Sequence, residues 1–271
     1  MAVSSSAPTD FVLFGPAHLA ILFSVVLVAA LLAYLQRRYL GQRASLRIGF
    51  AIALLADTAV WYGWMFAHGL LTFPNNLPLE LCDVTLFLTV AALFTLNEAV
   101  FDLAYYLALA GASMALLTPN LLGPFPSFST VQFFVAHGLT VAGVLYLLWA
   151  GLARPRRGSI LKAMLGVNAW ACIAGAFDWF FNTNYMYLRH RPVNASLLSV
   201  MGPWPWYILA GEGVALVFFV LLYLPHWLAA RVAPRAEAIE HAVEEAVEKA
   251  IETAEEAGRK LEAGMAEESE G

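Results

Sequence analysis

Charge is what this sequence has least of. Only 13% of its 271 residues are Asp, Glu, Lys or Arg, while 61% are hydrophobic. A soluble domain carries about a quarter charged residues, so a water-soluble globule is excluded. Cysteine is nearly absent as well: Cys82 and Cys172 are the only two, and they make no disulfide framework. Met1 to Asp10 holds no Lys or Arg. The basic n-region of a cleaved signal peptide is therefore missing, and the first apolar run is too long for an h-region. Gly-x-Ser-x-Gly, His-Glu-x-x-His and a phosphate-cradling glycine loop are all absent, so no soluble catalytic signature competes.

The few charges are unevenly placed. From Arg235 onward there are four basic and twelve acidic residues, a net of −8, against eleven basic and eight acidic before it, a net of +3. The overall −5 belongs to the tail and implies no nucleic-acid partner.

What is present is a series of long apolar runs. A hydrocarbon core of ~30 Å requires roughly 20 apolar residues in a helix. Seven segments qualify: Ala17–Gln36, Leu46–Ala67, Leu79–Leu96, Ala99–Leu117, Val131–Ala150, Ile160–Phe181 and Trp204–Leu224. Only Asn97 and Glu98 part the third from the fourth, which forces a tight hairpin; merging the two would leave six spans. The expected fold is an all-α polytopic transmembrane bundle of seven spans.

Basic residues in short loops set the orientation. Arg37, Arg38, Arg43, Arg47, Arg154, Arg156, Arg157, Lys162, Arg231 and Arg235 fall on one side, and only Arg189 and Arg191 on the other. This places the N-terminus outside and the C-terminus in the cytoplasm. The organisation reads as a short exoplasmic tail (1–16), the bundle (17–228) and an acidic cytoplasmic helix (235–268). In that helix Ile239, Val243, Val247 and Ile251 form a narrow apolar stripe. It reads as a solvated helix, with self-association or a partner contact as the alternative, and its negative charge argues against anionic lipid.

Polar groups within spans are costly and therefore informative. Most collect at the exoplasmic end: His18, His68, Glu80, Cys82, Asp83, His137, Asp178, Asn182, Asn184, Tyr185, Tyr187 and Arg189, then Gly202 to Tyr207, and Glu212. Trp204, Trp206 and Tyr207 also suit the interfacial aromatic belt. A lone membrane histidine such as His18 or His68 commonly just bonds a neighbouring helix, and Cys172 reads as a packing residue. Cys82 differs, because it lies near a helix N-terminus, where the dipole and free N–H groups favour a thiolate. Its neighbours Glu80 and Asp83 oppose that if ionised. An imidazole can take the thiol proton, and His137 is at a compatible depth. No two candidate ligands show metal spacing on one helix, so no metal or cofactor is expected.

Several stretches resemble the family of transmembrane protein 164 and its bacterial YwaF-type relatives. They are Leu77-Pro78-Leu79-Glu80-Leu81-Cys82-Asp83, Leu116-Leu117-Thr118-Pro119, Gln132 to Gly138, Asn184 to Arg189 with Pro192, Ser196-Leu197-Leu198, and Gly202-Pro203-Trp204-Pro205-Trp206-Tyr207. The likeness runs from about Phe14 to Pro225. The animal member is described as a cysteine-dependent acyltransferase acting on an ether lysophospholipid, and the family is described as distantly related to lipid hydrolases that use Thr and His. The resemblance implies Cys82 as nucleophile and His137 as its base. This chain has Asn120 where the family commonly has an acidic residue, and Glu80 where it often has His.

The expectation is thus an intramembrane lipid acyltransferase built on a Cys82–His137 pair, with membrane lipid as substrate. Asn184, Tyr185 and Tyr187 are the expected oxyanion donors, and Arg189 or Arg191 the expected phosphate holders. Asp83, His18, Trp204 and Trp206 complete the expected substrate contacts. The rivals are a transporter or lipid-binding protein without catalysis, and a structural protein. Transport is disfavoured because no internal repeat is evident and the polar groups lie off the midplane.

Overall fold

The computed structural model describes residues 11–41, 43–121, 123–192, 200–232 and 247–249. The chain forms two compact units, Met1–Leu222 and Tyr223–Gly271, and each is described by itself.

Every long regular element described is helical: α1 (Pro16–Leu40), α2 (Ser45–Ala67), α3 (Leu81–Thr95), α4 (Glu98–Leu117), α5 (Phe128–Trp149), α6 (Ser159–Phe181) and α7 (Trp206–Val232). All but α3 are long and apolar enough to cross a membrane. The expectation of a third full-length span starting at Leu79 needs correction. Glu80 is extended at φ −67° and ψ 152° and serves as N-cap, and its N–H donates to Asp83 Oδ2 (3.2 Å). The helix therefore starts only at Leu81 and has 15 residues, about 22 Å of rise against a core of ~30 Å. Hydropathy sees the apolar residues and not the cap.

α3 is the inner helix and packs against α2, α4 and α5. The expected hairpin is present. Leu96 turns left-handed at φ 53°, and Asn97 Oδ1 caps α4 by accepting from the Ala99 and Val100 N–H groups (2.9 and 3.1 Å). Arg47 closes the far end of α3 by donating to Leu93 and Phe94 carbonyls, each at 2.6 Å, which satisfies acceptors that the helix end leaves open.

Glycine permits the closest approaches. A Cβ on Gly143 of α5 would lie 3.0 Å from both Phe50 of α2 and Thr89 of α3, and one on Gly166 of α6 2.9 Å from Leu103 of α4. Small residues at such crossings let helix backbones approach in lipid. α4 carries a π-helical segment at Leu107–Ala112. Its carboxylate Asp102 is fully buried and accepts from Arg156 Nε and Nη2 (3.1 and 2.9 Å) and from the Arg156 backbone N–H (3.0 Å). Nearby, the hydroxyls of Tyr106 and Ser159 pair at 2.7 Å. The first unit's part of α7 joins α4 through Tyr105, which donates to Leu222 O (2.9 Å).

In the second unit, Tyr223–Val232 is helical, and Arg231 lies 4.0 Å over the Trp227 ring. Val247–Lys249 is helical too. The rest of the expected acidic helix, with its self-association and partner roles, lies outside the described residues.

Candidate functional site

At the arginine-poor end of the bundle a chamber of about 550 Å³ opens among α2, α3, α4, α5 and the loops beside them. Cys82 and His137 both line it, together with Glu80, Asp83, Tyr62, Asn120, Gln132, Tyr185 and Tyr187. No Lys or Arg is among its lining residues.

The cap at Glu80 places Cys82 in the first turn of α3, where the thiol is exposed. It lines the chamber wall, but burial and then the Asp83 and Glu80 carboxyls push the thiol above its usual range, so the thiolate expected from the helix N-terminus is not favoured and Cys82 rests as a thiol. His137 is about two turns into α5, a helix whose start is set by reciprocal bonds between Ser127 and Thr130. Its Nδ1–H donates to the Phe133 carbonyl (2.8 Å). A carbonyl only accepts, so this bond fixes the neutral tautomer and leaves Nε2 as a lone pair. Nε2 has no hydrogen-bond partner among the described residues. The imidazole is thus prepared as a base.

The loop after α6 closes one wall. Met186 and Tyr187 take positive φ values of 53° and 56°, a conformation that costs of order 1–3 kcal/mol and persists only where surroundings enforce it. Here Met186 N–H donates to Glu80 Oε2 (2.9 Å), Tyr185 N–H to Asp178 Oδ1 (2.8 Å), and the Tyr207 hydroxyl to the Tyr187 carbonyl. The Tyr185 hydroxyl accepts from Leu77 N–H (2.9 Å) and donates to Pro74 O (2.7 Å). The Tyr187 side chain pairs with Asn120. Burial pushes the hydroxyls of both tyrosines above their usual range, with the Glu80 charge adding to the effect, so both remain protonated.

Of the residues expected at the site, Cys82, Asp83, His137, Tyr185 and Tyr187 meet in the chamber. His18, Asn184, Arg189, Trp204 and Trp206 are not among its lining residues. His18 is fully buried. It accepts from Phe14 N–H at Nδ1 (2.9 Å) and donates from Nε2 to Leu116 O (2.7 Å), tying α1 to α4. Asn184 Oδ1 accepts from Arg189 and His190 N–H groups, and Arg189 Nη1 donates to Asn182 Oδ1 (2.8 Å). These two hold the loop together and do not face a substrate. Trp204 donates to Leu188 O (3.0 Å), and it and Trp206 are otherwise exposed, as belt residues are.

The residues missed are Tyr62, Gln132 and, behind the chamber, Asp57, whose Oδ2 accepts from Gln132 Nε2 (3.2 Å). Asp57 and Asp102 are the two carboxylates inside long spans that sequence reading passed over. The Thr58–Tyr62 spacing of four puts both on the face that Asp57 borders.

The fold and site define a multi-pass integral membrane protein with a chamber near one end of its helical bundle, lined by a cysteine and a histidine. The chain belongs to the TMEM164 family, whose model matches residues 13–223. A protein of Treponema pallidum (strain Nichols), carrying only the name "Uncharacterized protein", is 28% identical over 221 residues, covering 79% of this chain and 90% of that one. No solved structure matches.

Proposed function

We propose that this chain is an intramembrane acyltransferase that takes an acyl group from a lipid ester onto Cys82, with His137 as the base. The observation that carries the reading is the presence of Cys82 and the unpartnered His137 Nε2 on one chamber wall system. In the first half-reaction Nε2 takes the thiol proton and Sγ attacks the ester carbon. The C–O bond then breaks, the proton passes to the leaving alkoxide, and a thioester remains. An acceptor hydroxyl reverses the sequence. With two carboxyls and no Lys or Arg on its walls, the chamber suits the acyl ester, and a lipid phosphate stays outside it. Charge bias in the loops and a bacterial relative support a bacterial cytoplasmic membrane, N-terminus outside.

The test uses purified protein in phospholipid vesicles. Cys82 should gain an acyl mass that hydroxylamine removes, and Cys82→Ala should lose both that adduct and acyl transfer to an added lysophospholipid. Transfer by the Cys82→Ala protein would overturn the proposal; lipid flux that persists after thiol alkylation would favour the transporter.

A further inference from the structure

A tetrahedral intermediate on Cys82 needs a donor already aimed at the place where oxygen becomes negative. Of the donors expected from sequence, Tyr185 is committed to Pro74 O and Asn184 to its own loop, while the Tyr187 oxygen accepts from Asn120. The chamber threonines also look inward to their helices. Thr58, Thr118 and Thr140 donate to the carbonyls of Leu54, Met114 and Ala136 (3.0, 2.9 and 2.7 Å). Trp61 is held in a stack with Trp64 and Phe128, and Gln132 is anchored on Asp57.

One hydroxyl stands apart. Tyr62, on the α2 wall, has no hydrogen-bond partner among the described residues, although it is only partly exposed and lines the chamber. It shares the chamber wall with Cys82, Asp83 and Tyr185. A phenol with an ordinary pKa near 10 remains a donor at neutral pH. A hydroxyl on the chamber wall with no protein acceptor is free to donate to a group that enters the chamber.

We infer that Tyr62 is the oxyanion donor of the acyl-transfer step, an assignment that rests on Cys82 being the nucleophile. As Sγ bonds to the ester carbon, the carbonyl π pair moves onto oxygen, and the Tyr62 O–H donates to it. The pair returns when the C–O bond to the leaving alcohol breaks. Tyr62 keeps its proton throughout.

Two reactions of the same thiol separate the assignment from the underlying reading. Acylation by a neutral nitrophenyl ester of a medium-chain acid passes through an oxyanion, whereas alkylation by iodoacetamide does not. Both rates at Cys82 are measured in a Cys172→Ser background. Tyr62→Phe should slow acylation on the order of 10²-fold, the usual effect of one lost donor, and leave alkylation within twofold. Unchanged alkylation also shows that the chamber is intact. Equal slowing of both reactions, or of neither, overturns the role of Tyr62 while leaving Cys82 as nucleophile. A Cys82 that neither reagent modifies in the parent protein overturns the acyl-transfer reading itself.

Discussion

Asp57 lies well inside α2, and a carboxylate at the centre of a spanning helix costs about 2.5–3.5 kcal/mol on insertion scales. Its one hydrogen bond comes from Gln132 at 3.2 Å, and such bonds between membrane helices return on average only about 0.6 kcal/mol. Stability does not account for the residue, and what its carboxylate does in the structure is hold the amide of Gln132, which lines the chamber. Asp57→Leu is therefore expected to leave thermal stability unchanged or raised by about 1 kcal/mol, while acyl transfer falls. A large drop in stability would instead make Asp57 an adhesive between α2 and α5. The two expected histidines should separate in the opposite sense. His18→Ala removes a group with both ring nitrogens engaged and should lower stability by roughly 1–3 kcal/mol, with Cys82 alkylation intact. His137→Ala should barely move stability and should slow Cys82 modification at least tenfold. Cys82, Asp83 and His137 were legible in the sequence because polar groups near helix ends on one side stand out. Tyr62 and Asp57 were not, since a tyrosine beside tryptophans reads as belt, and a single carboxylate carries no sign of which helix it faces.

Between elements, the closeness of α5 to α2 and α3 depends on Gly143, where a Cβ meets Phe50 and Thr89 at 3.0 Å. Rings and branched side chains buried on packed helices cannot yield far. Gly143→Val should destabilise by about 1–3 kcal/mol, whereas Gly63→Ala on α2, where no atom lies within 4 Å of the added Cβ, should be neutral or stabilising by up to about 1 kcal/mol. A thermal unfolding series on both variants checks the contrast. At the other end of the bundle, Asp102→Ala should lower the melting temperature by several degrees more than Glu98→Ala. Both carboxylates meet Arg156, but Asp102 is fully buried while the Glu98 side chain is 69% exposed. An exposed pair contributes little, whereas the buried Asp102 accepts from the Arg156 backbone N–H as well as from Nε and Nη2, and its removal breaks all three bonds. Helix limits were readable to within a few residues for the long spans, except at the end of α7, which continues to Val232 where Leu224 was expected. The start of α3 was not, because it is decided by a cap that Asp83 and Glu80 form across three residues.

At the scale of the whole first unit, chemistry and charge are segregated. Cys82, His137 and Tyr62 gather where loops hold almost no basic residue, while Arg47 and Arg156, which close α3 and α4, belong to the arginine-rich end. Exposed aromatics accompany the chamber: Trp179 and Phe180 each stand 80% open at the end of α6, as rings at a membrane interface do. If the loop charges set the direction of insertion, the chamber opens on the outer leaflet, and its acyl donors are drawn from lipids there. Single cysteines in a background lacking Cys82 and Cys172 decide it. Asn75→Cys, in the loop before α3, should react with an impermeant maleimide in intact cells, and Arg157→Cys only after the membrane is opened. The reverse pattern would put Cys82 on the cytoplasmic leaflet, where both donor lipids and soluble acceptors differ. The orientation therefore bears on substrate as much as on topology.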